Sequence, residues 1–181
     1  MSIFKWILVG IDRVNEWIGK ILAYFLFLMF ILLMVEVIRR YFFNSPTVWQ
    51  NELAQYLFGA YAILSGGFIL RAGAHVNVDI IFAHFSEKTQ AWCNIITSTL
   101  FFLFIGMMLI YGGSFAWESI SRWEHSQSAW NPPVWPIKAT IPLGAILLLL
   151  QGVVKLVKDI CLVMGKEPPV KPATAHEGEN I

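Results

Sequence analysis

The residues that could carry chemistry are few, and their spacing says where they would act. Glu36 is followed by Arg39 and Arg40 at i+3 and i+4, which places opposite charges on one helix face. Glu52 opens and Arg71 closes a run of 18 uncharged residues, after which come Gly73, His75 and Asp79. Lys138 stands in front of a further apolar run. A carboxylate in a bilayer could couple to protons, histidines inside helices could ligate haem, and His/Cys/acid clusters could hold a metal. The spacing supports none of these. His75, His84, His125 and His176 all fall outside the apolar runs, and the phosphate-cradling, HExxH and CxxC patterns are missing. Cys93 and Cys161 are too few for a disulfide framework. Glu36 and Glu52 sit at the edges of apolar runs, and two arginines neighbour Glu36. Interface anchoring is the reading those positions support. No catalytic residue, cofactor or metal site is expected, and the chain is not read as an enzyme.

Those side chains need membrane helices to position them. Of the 181 residues 57% are hydrophobic and only 14% charged, against about 25% charged in soluble domains. The formal net charge of +1 gives no reason to expect nucleic acid as a partner. Four spans are predicted, at about residues 18–38, 50–70, 91–117 and 138–157. The second span is 18 uncharged residues between Glu52 and Arg71, about 27 Å as a helix and close to the ~30 Å hydrocarbon core. The third, an uncharged run of 27 residues from Ala91 to Trp117, exceeds the ~20 that are needed and should tilt or protrude. Ala62, Ser65, Gly66 and Gly67, and later Gly106, Gly112 and Gly113, suggest close helix packing. Before the first span, Phe4, Ile7, Ile11, Val14 and Ile18 recur at helical spacing, with Lys5, Asp12, Arg13, Glu16 and Lys20 mainly opposite. That pattern predicts an amphipathic helix lying in the interface, in preference to a plain extension of the first span. The fold class is therefore all-α integral membrane, one four-helix domain over residues 1–165, with a disordered cytoplasmic tail at 166–181. The first apolar run is broken by Lys5, Asp12 and Arg13, so no cleavable signal is expected.

The loops give an orientation. Asn44-Ser45-Pro46 ends the first span, and Ser86 could cap the helix of the third. The connection from Glu118 to Pro136 carries Trp123, Trp130 and Trp135 among three prolines, which fits an interfacial belt or a docking surface. Nine Lys/Arg residues fall in the N-terminal part, second loop and tail, against four in the first and third loops. That bias predicts cytoplasmic termini and an outward Trp-rich loop. Arg71 and Asp79, with a turn at Gly73 between them, are expected to pair at the inner exit of the second span.

These residues also carry a resemblance. Arg40-Tyr41, then Ser45-Pro46-x-x-Trp49-x-x-Glu52, then a span, then Arg71-x-x-x-His75-Val76-x-Val78-Asp79 resembles the small membrane subunit of TRAP (tripartite ATP-independent periplasmic) transporters, across roughly residues 1–160. Asn51 stands where that family commonly has the first of two adjacent acids. The resemblance implies a non-catalytic scaffold in the bacterial inner membrane. A separate large elevator-type carrier subunit would hold substrate and sodium, and a periplasmic binding protein would deliver an organic anion. It makes Glu36, Arg39, Arg40, Trp49, Glu52, Arg71, His75, Asp79 and Lys138 candidates for structural or subunit contacts. Trp123, Trp130 and Trp135 become candidates for docking the binding protein. The competing readings are a stand-alone proton-coupled four-helix exporter using Glu36, and the membrane anchor of a respiratory enzyme.

Overall fold

The computed structural model describes residues 3–72 and 85–165. They form four helices: α1 (Ile3–Phe42), α2 (Gln50–Arg71), α3 (Glu87–Ser121) and α4 (Trp135–Val163). Among the described residues there is no strand, only an isolated bridge between His125 and Pro133. Lys5–Phe42, Gln50–Arg71 and Lys88–Ser121 are each long and apolar enough to cross a membrane. The chain thus carries the all-helical fabric of an integral membrane protein. In space the order is α1, α2, α4, α3: α4 packs against both α2 and α3 and also reaches α1, while α2 lies between α1 and α4.

The first helix differs from the expected pair of elements. It runs unbroken for 40 residues, or about 60 Å, because nothing between Ile3 and Phe42 interrupts it beyond the isolated Gly10 and Gly19. Its N-terminal third also turns the other way round from an interfacial helix. Leu8, Asp12 and Asn15 are buried against the bundle, whereas Trp6, Ile7, Val14 and Trp17 are exposed. The polar side points inward because α2 and α4 bring cations and amides to meet it, as described below.

The termini follow local chemistry. Asn44, at φ 45°, takes the left-handed conformation in the turn after α1, a conformation asparagine tolerates. Ser86 caps α3 by accepting from the Thr89 N–H at 3.4 Å. Pro136 occupies the first turn of α4, and Pro142 lies inside the helix. Small residues set the helix spacing. A Cβ on Gly144 would stand 2.8 Å from the Ile63 carbonyl oxygen, so α4 meets the α2 backbone there. Gly66 receives Leu148 of α4 and Gly67 receives Asn15 of α1. Of the three glycines in α3, only Gly112 is such a contact, with Ile141; Gly106 and Gly113 face open space.

Candidate functional site

Two polar clusters fasten the helices, one at each end of the bundle. The first lies where α1 turns into α2. Glu36 is only 3% exposed. Its Oε1 accepts from Arg40 at 2.7 Å. Its Oε2 accepts from the Thr47 N–H at 3.3 Å and also meets the Thr47 hydroxyl, which stands 3.1 Å from Gln50 Oε1. Gln50 Nε2 in turn donates to the Leu32 carbonyl of α1. Arg39 donates to Ser45 Oγ at 3.5 Å, and the Ser45 N–H donates to the Arg39 carbonyl at 3.1 Å. Glu36 thus acts as the acceptor on which the 43–49 turn closes.

The Trp-rich connection folds over this end. Within it Ser126 N–H donates to Pro132 O and Val134 N–H to Glu124 O, both at 2.8 Å, and positive φ angles at Trp123 and Asn131 make the reversals. It is joined to the N-terminal end of α2. Ser128 Oγ donates to Glu52 Oε2 at 2.6 Å, and Trp130 lies 6.2 Å, centroid to centroid, from Trp49. The other Glu52 oxygen accepts from Tyr56 at 3.0 Å. Trp123 and Trp135 meet edge to face at 5.8 Å. Lys138 donates to Glu124 and sits 4.1 Å over the Phe115 ring. The Lys138 ammonium holds the Glu124 carboxyl below its ordinary range.

The second cluster lies at the opposite end. Arg71, the last residue of α2, donates through Nε to Asp12 Oδ2 at 2.8 Å and through its terminal nitrogen to Glu16 Oε2 at 3.0 Å. Asp12, 7% exposed, also accepts at Oδ1 from Gln151 of α4 at 3.1 Å, with the Lys158 ammonium 3.6 Å away. Asn15 donates to Gln151 Oε1 at 3.1 Å and to the Ile11 carbonyl at 3.2 Å. Its own oxygen, without a hydrogen-bond partner, lies against Gly67. Three helices are thereby joined by a buried acid held between two cations and an amide. Removing one member of such a set leaves the others uncompensated.

With this geometry in place the chain can be set beside known proteins. Residues 29–162 match the family "Tripartite ATP-independent periplasmic transporters, DctQ component". The chain belongs to this family. It is also similar, 28% identical over 102 residues, to the sialic acid TRAP transporter permease protein SiaT of Haemophilus influenzae. That stretch is 56% of this chain but only 16% of the length of SiaT.

Seen as a DctQ component, the chain places its candidate residues in three groups. Glu36, Arg39 and Arg40 gather at the first turn. Trp49, Glu52, Trp123, Trp130, Trp135 and Lys138 gather under the Trp-rich connection. Arg71 stands at the far end. His75 and Asp79 lie outside the described residues, and the expected Arg71–Asp79 pair lies there with them; among the described residues the Arg71 guanidinium meets Asp12 and Glu16. Asp12, Asn15, Glu16, Gln151 and Lys158 were not singled out as one site by the sequence. One signal was available: Asp12, Asn15 and Glu16 are spaced i, i+3, i+4, while Trp6 and Trp17 sit among the apolar residues opposite. Among the described residues, no group of three His, Cys, Asp or Glu could hold a metal ion.

Proposed function

We propose that the chain is the non-catalytic scaffold of a sodium-coupled TRAP transporter for organic anions such as carboxylates. It would brace a large elevator-type carrier subunit in the bacterial inner membrane. The observation that carries this reading is the use made of the buried carboxylates. Asp12 and Glu36 are each held by cations and donors from neighbouring turns or helices. Such acids lock helices together, whereas a coupling acid has to gain and lose its ion during the cycle. The same engagement of Glu36 weighs against the proton-coupled exporter. In this reading the helices cross four times, with α4 as the inner member, both termini cytoplasmic and the Trp-rich connection periplasmic. The N-terminal third of α1 continues the first span past the cytoplasmic interface, with Trp6 and Trp17 exposed on its outer side. His75 and Asp79 follow α2 on that side, where they are proposed to contact the large subunit.

Reconstitution tests the role. The purified chain alone in liposomes is expected to move no organic anion under a sodium gradient, and uptake should appear only with the large subunit and binding protein. Sodium-driven uptake by the single chain would overturn the scaffold reading. The exposed Trp123 and Trp130 are proposed to help dock the binding protein. Replacing both by Ala should lower uptake at limiting binding protein while leaving the chain in the membrane.

A further inference from the structure

The Lys138–Glu124 contact forms one wall of a pocket. This pocket, of about 290 Å³ at the junction of α3 and α4, is lined by Phe115, Glu118, Ser119, Arg122, Glu124 and Lys138. Two acids and two bases thus share one opening. They are not equally available. Lys138 is largely buried and committed to Glu124 and the Phe115 ring. Arg122 and Glu118, paired at 2.9 Å, are 75% and 58% exposed. An exposed pair of this kind gains little from its own contact, so its members can exchange partners at small cost. The Ser119 side chain, 1% exposed, faces Glu124 without reaching hydrogen-bond geometry. It leaves a buried hydroxyl on the pocket wall.

Below the pocket the surface is apolar. Phe104, Met107, Tyr111 and Phe115 are all exposed on α3 and follow one another at spacings of three and four residues, so they form a single stripe running from the pocket along the helix. α3 is long and apolar enough to span the membrane, so this stripe lies at hydrocarbon depth and the pocket at headgroup level.

We propose that this pocket binds the headgroup of an ethanolamine phospholipid, with an acyl chain laid along the Phe104–Phe115 stripe. The phosphate accepts from the Arg122 guanidinium, next to the Lys138 ammonium and the Ser119 hydroxyl. The primary ammonium donates to the Glu118 carboxylate that Arg122 releases. Both charges of the pair are thereby re-satisfied with no net charge added to the site. Phosphatidylglycerol supplies only the anion. Phosphatidylcholine carries a quaternary ammonium that cannot donate a hydrogen bond to Glu118.

The full chain in nanodiscs of mixed phosphatidylethanolamine, phosphatidylglycerol and phosphatidylcholine, released for native mass spectrometry, tests this. Phosphatidylethanolamine should be retained in preference to the other two. Glu118→Gln should reduce that preference roughly tenfold, as for one lost charge-assisted hydrogen bond, and should not lower phosphatidylglycerol retention. Arg122→Ala should weaken retention of both. Each side chain is exposed, so circular dichroism should show both variants folded. Equal retention of the three lipids, or an unchanged preference in Glu118→Gln, overturns the proposal. Soluble glycerophosphoethanolamine separates lipid from free headgroup: displacement of the lipid by the soluble compound at equal concentration would mean that the stripe contributes nothing, and would also overturn it.

Discussion

At the residue scale, Arg71 is the side chain on which most depends. Its side chain is 12% exposed, and the side chain of Asp12, which it meets, is 10% exposed. Replacing Arg71 by Ala strands a buried carboxylate and should cost about 3 kcal/mol, partly offset by the remaining Lys158 and Gln151. Arg122→Ala, at an exposed pair, should cost about 0–1 kcal/mol. Unfolding of the detergent-solubilised chain compares the two. A double-mutant cycle of Arg71→Ala with Asp12→Ala should be strongly non-additive, the double variant being little worse than either single one; simple addition of the losses would refute the pairing. Glu124 gives a pH prediction. Its folded pKa is depressed by Lys138, so its contribution is fully present above the unfolded value, roughly 4.3, and is lost as pH falls through the lower folded value. Near-UV circular dichroism of the Trp123–Trp135 pair should hold steady from neutrality and change only on acidification below that range. In Lys138→Met the change should begin at higher pH.

At the element scale, the helices owe their spacing to glycine. Gly67→Ala would drive a Cβ into Asn15 and separate α1 from α2, a change expected to cost about 1–3 kcal/mol. Gly106→Ala, with open space before it, should be neutral or stabilising by up to about 1 kcal/mol through helix propensity. Equal effects of the two substitutions on unfolding would show that the α1–α2 approach does not depend on Gly67. The helices themselves were legible in the sequence, because uncharged runs of bilayer length leave little choice of structure. The face of α1 was not. A row of Asp12, Asn15 and Glu16 reads the same whether water or a neighbouring helix satisfies it, and the deciding partners lie 59 positions away at Arg71 and 139 away at Gln151. Glu36, Arg39 and Arg40 were legible as a group because their spacing is local. The link from Glu52 to Ser128, 76 positions on, was not.

At the scale of the whole molecule, one polar cluster fastens α1 to α2 and the other, at the opposite end, fastens α1, α2 and α4, while α3 packs against α4. Orientation is testable. A cysteine at Ser126, in a background lacking Cys93 and Cys161, should react with a membrane-impermeant thiol reagent in intact cells. Labelling at Ala173 but not at Ser126 would invert the proposed topology. The cluster at Asp12 also sets an order of events during synthesis. The ribosome releases α1 long before it has made Gln151 and Lys158. At typical elongation speeds Asp12 and Asn15 exist for of order ten seconds before α4 can reach them. Through that interval the first segment made has an incomplete polar seam. A nascent chain halted before α4 would retain that seam, an exposed mark by which membrane proteases could tell an unfinished subunit from a finished one.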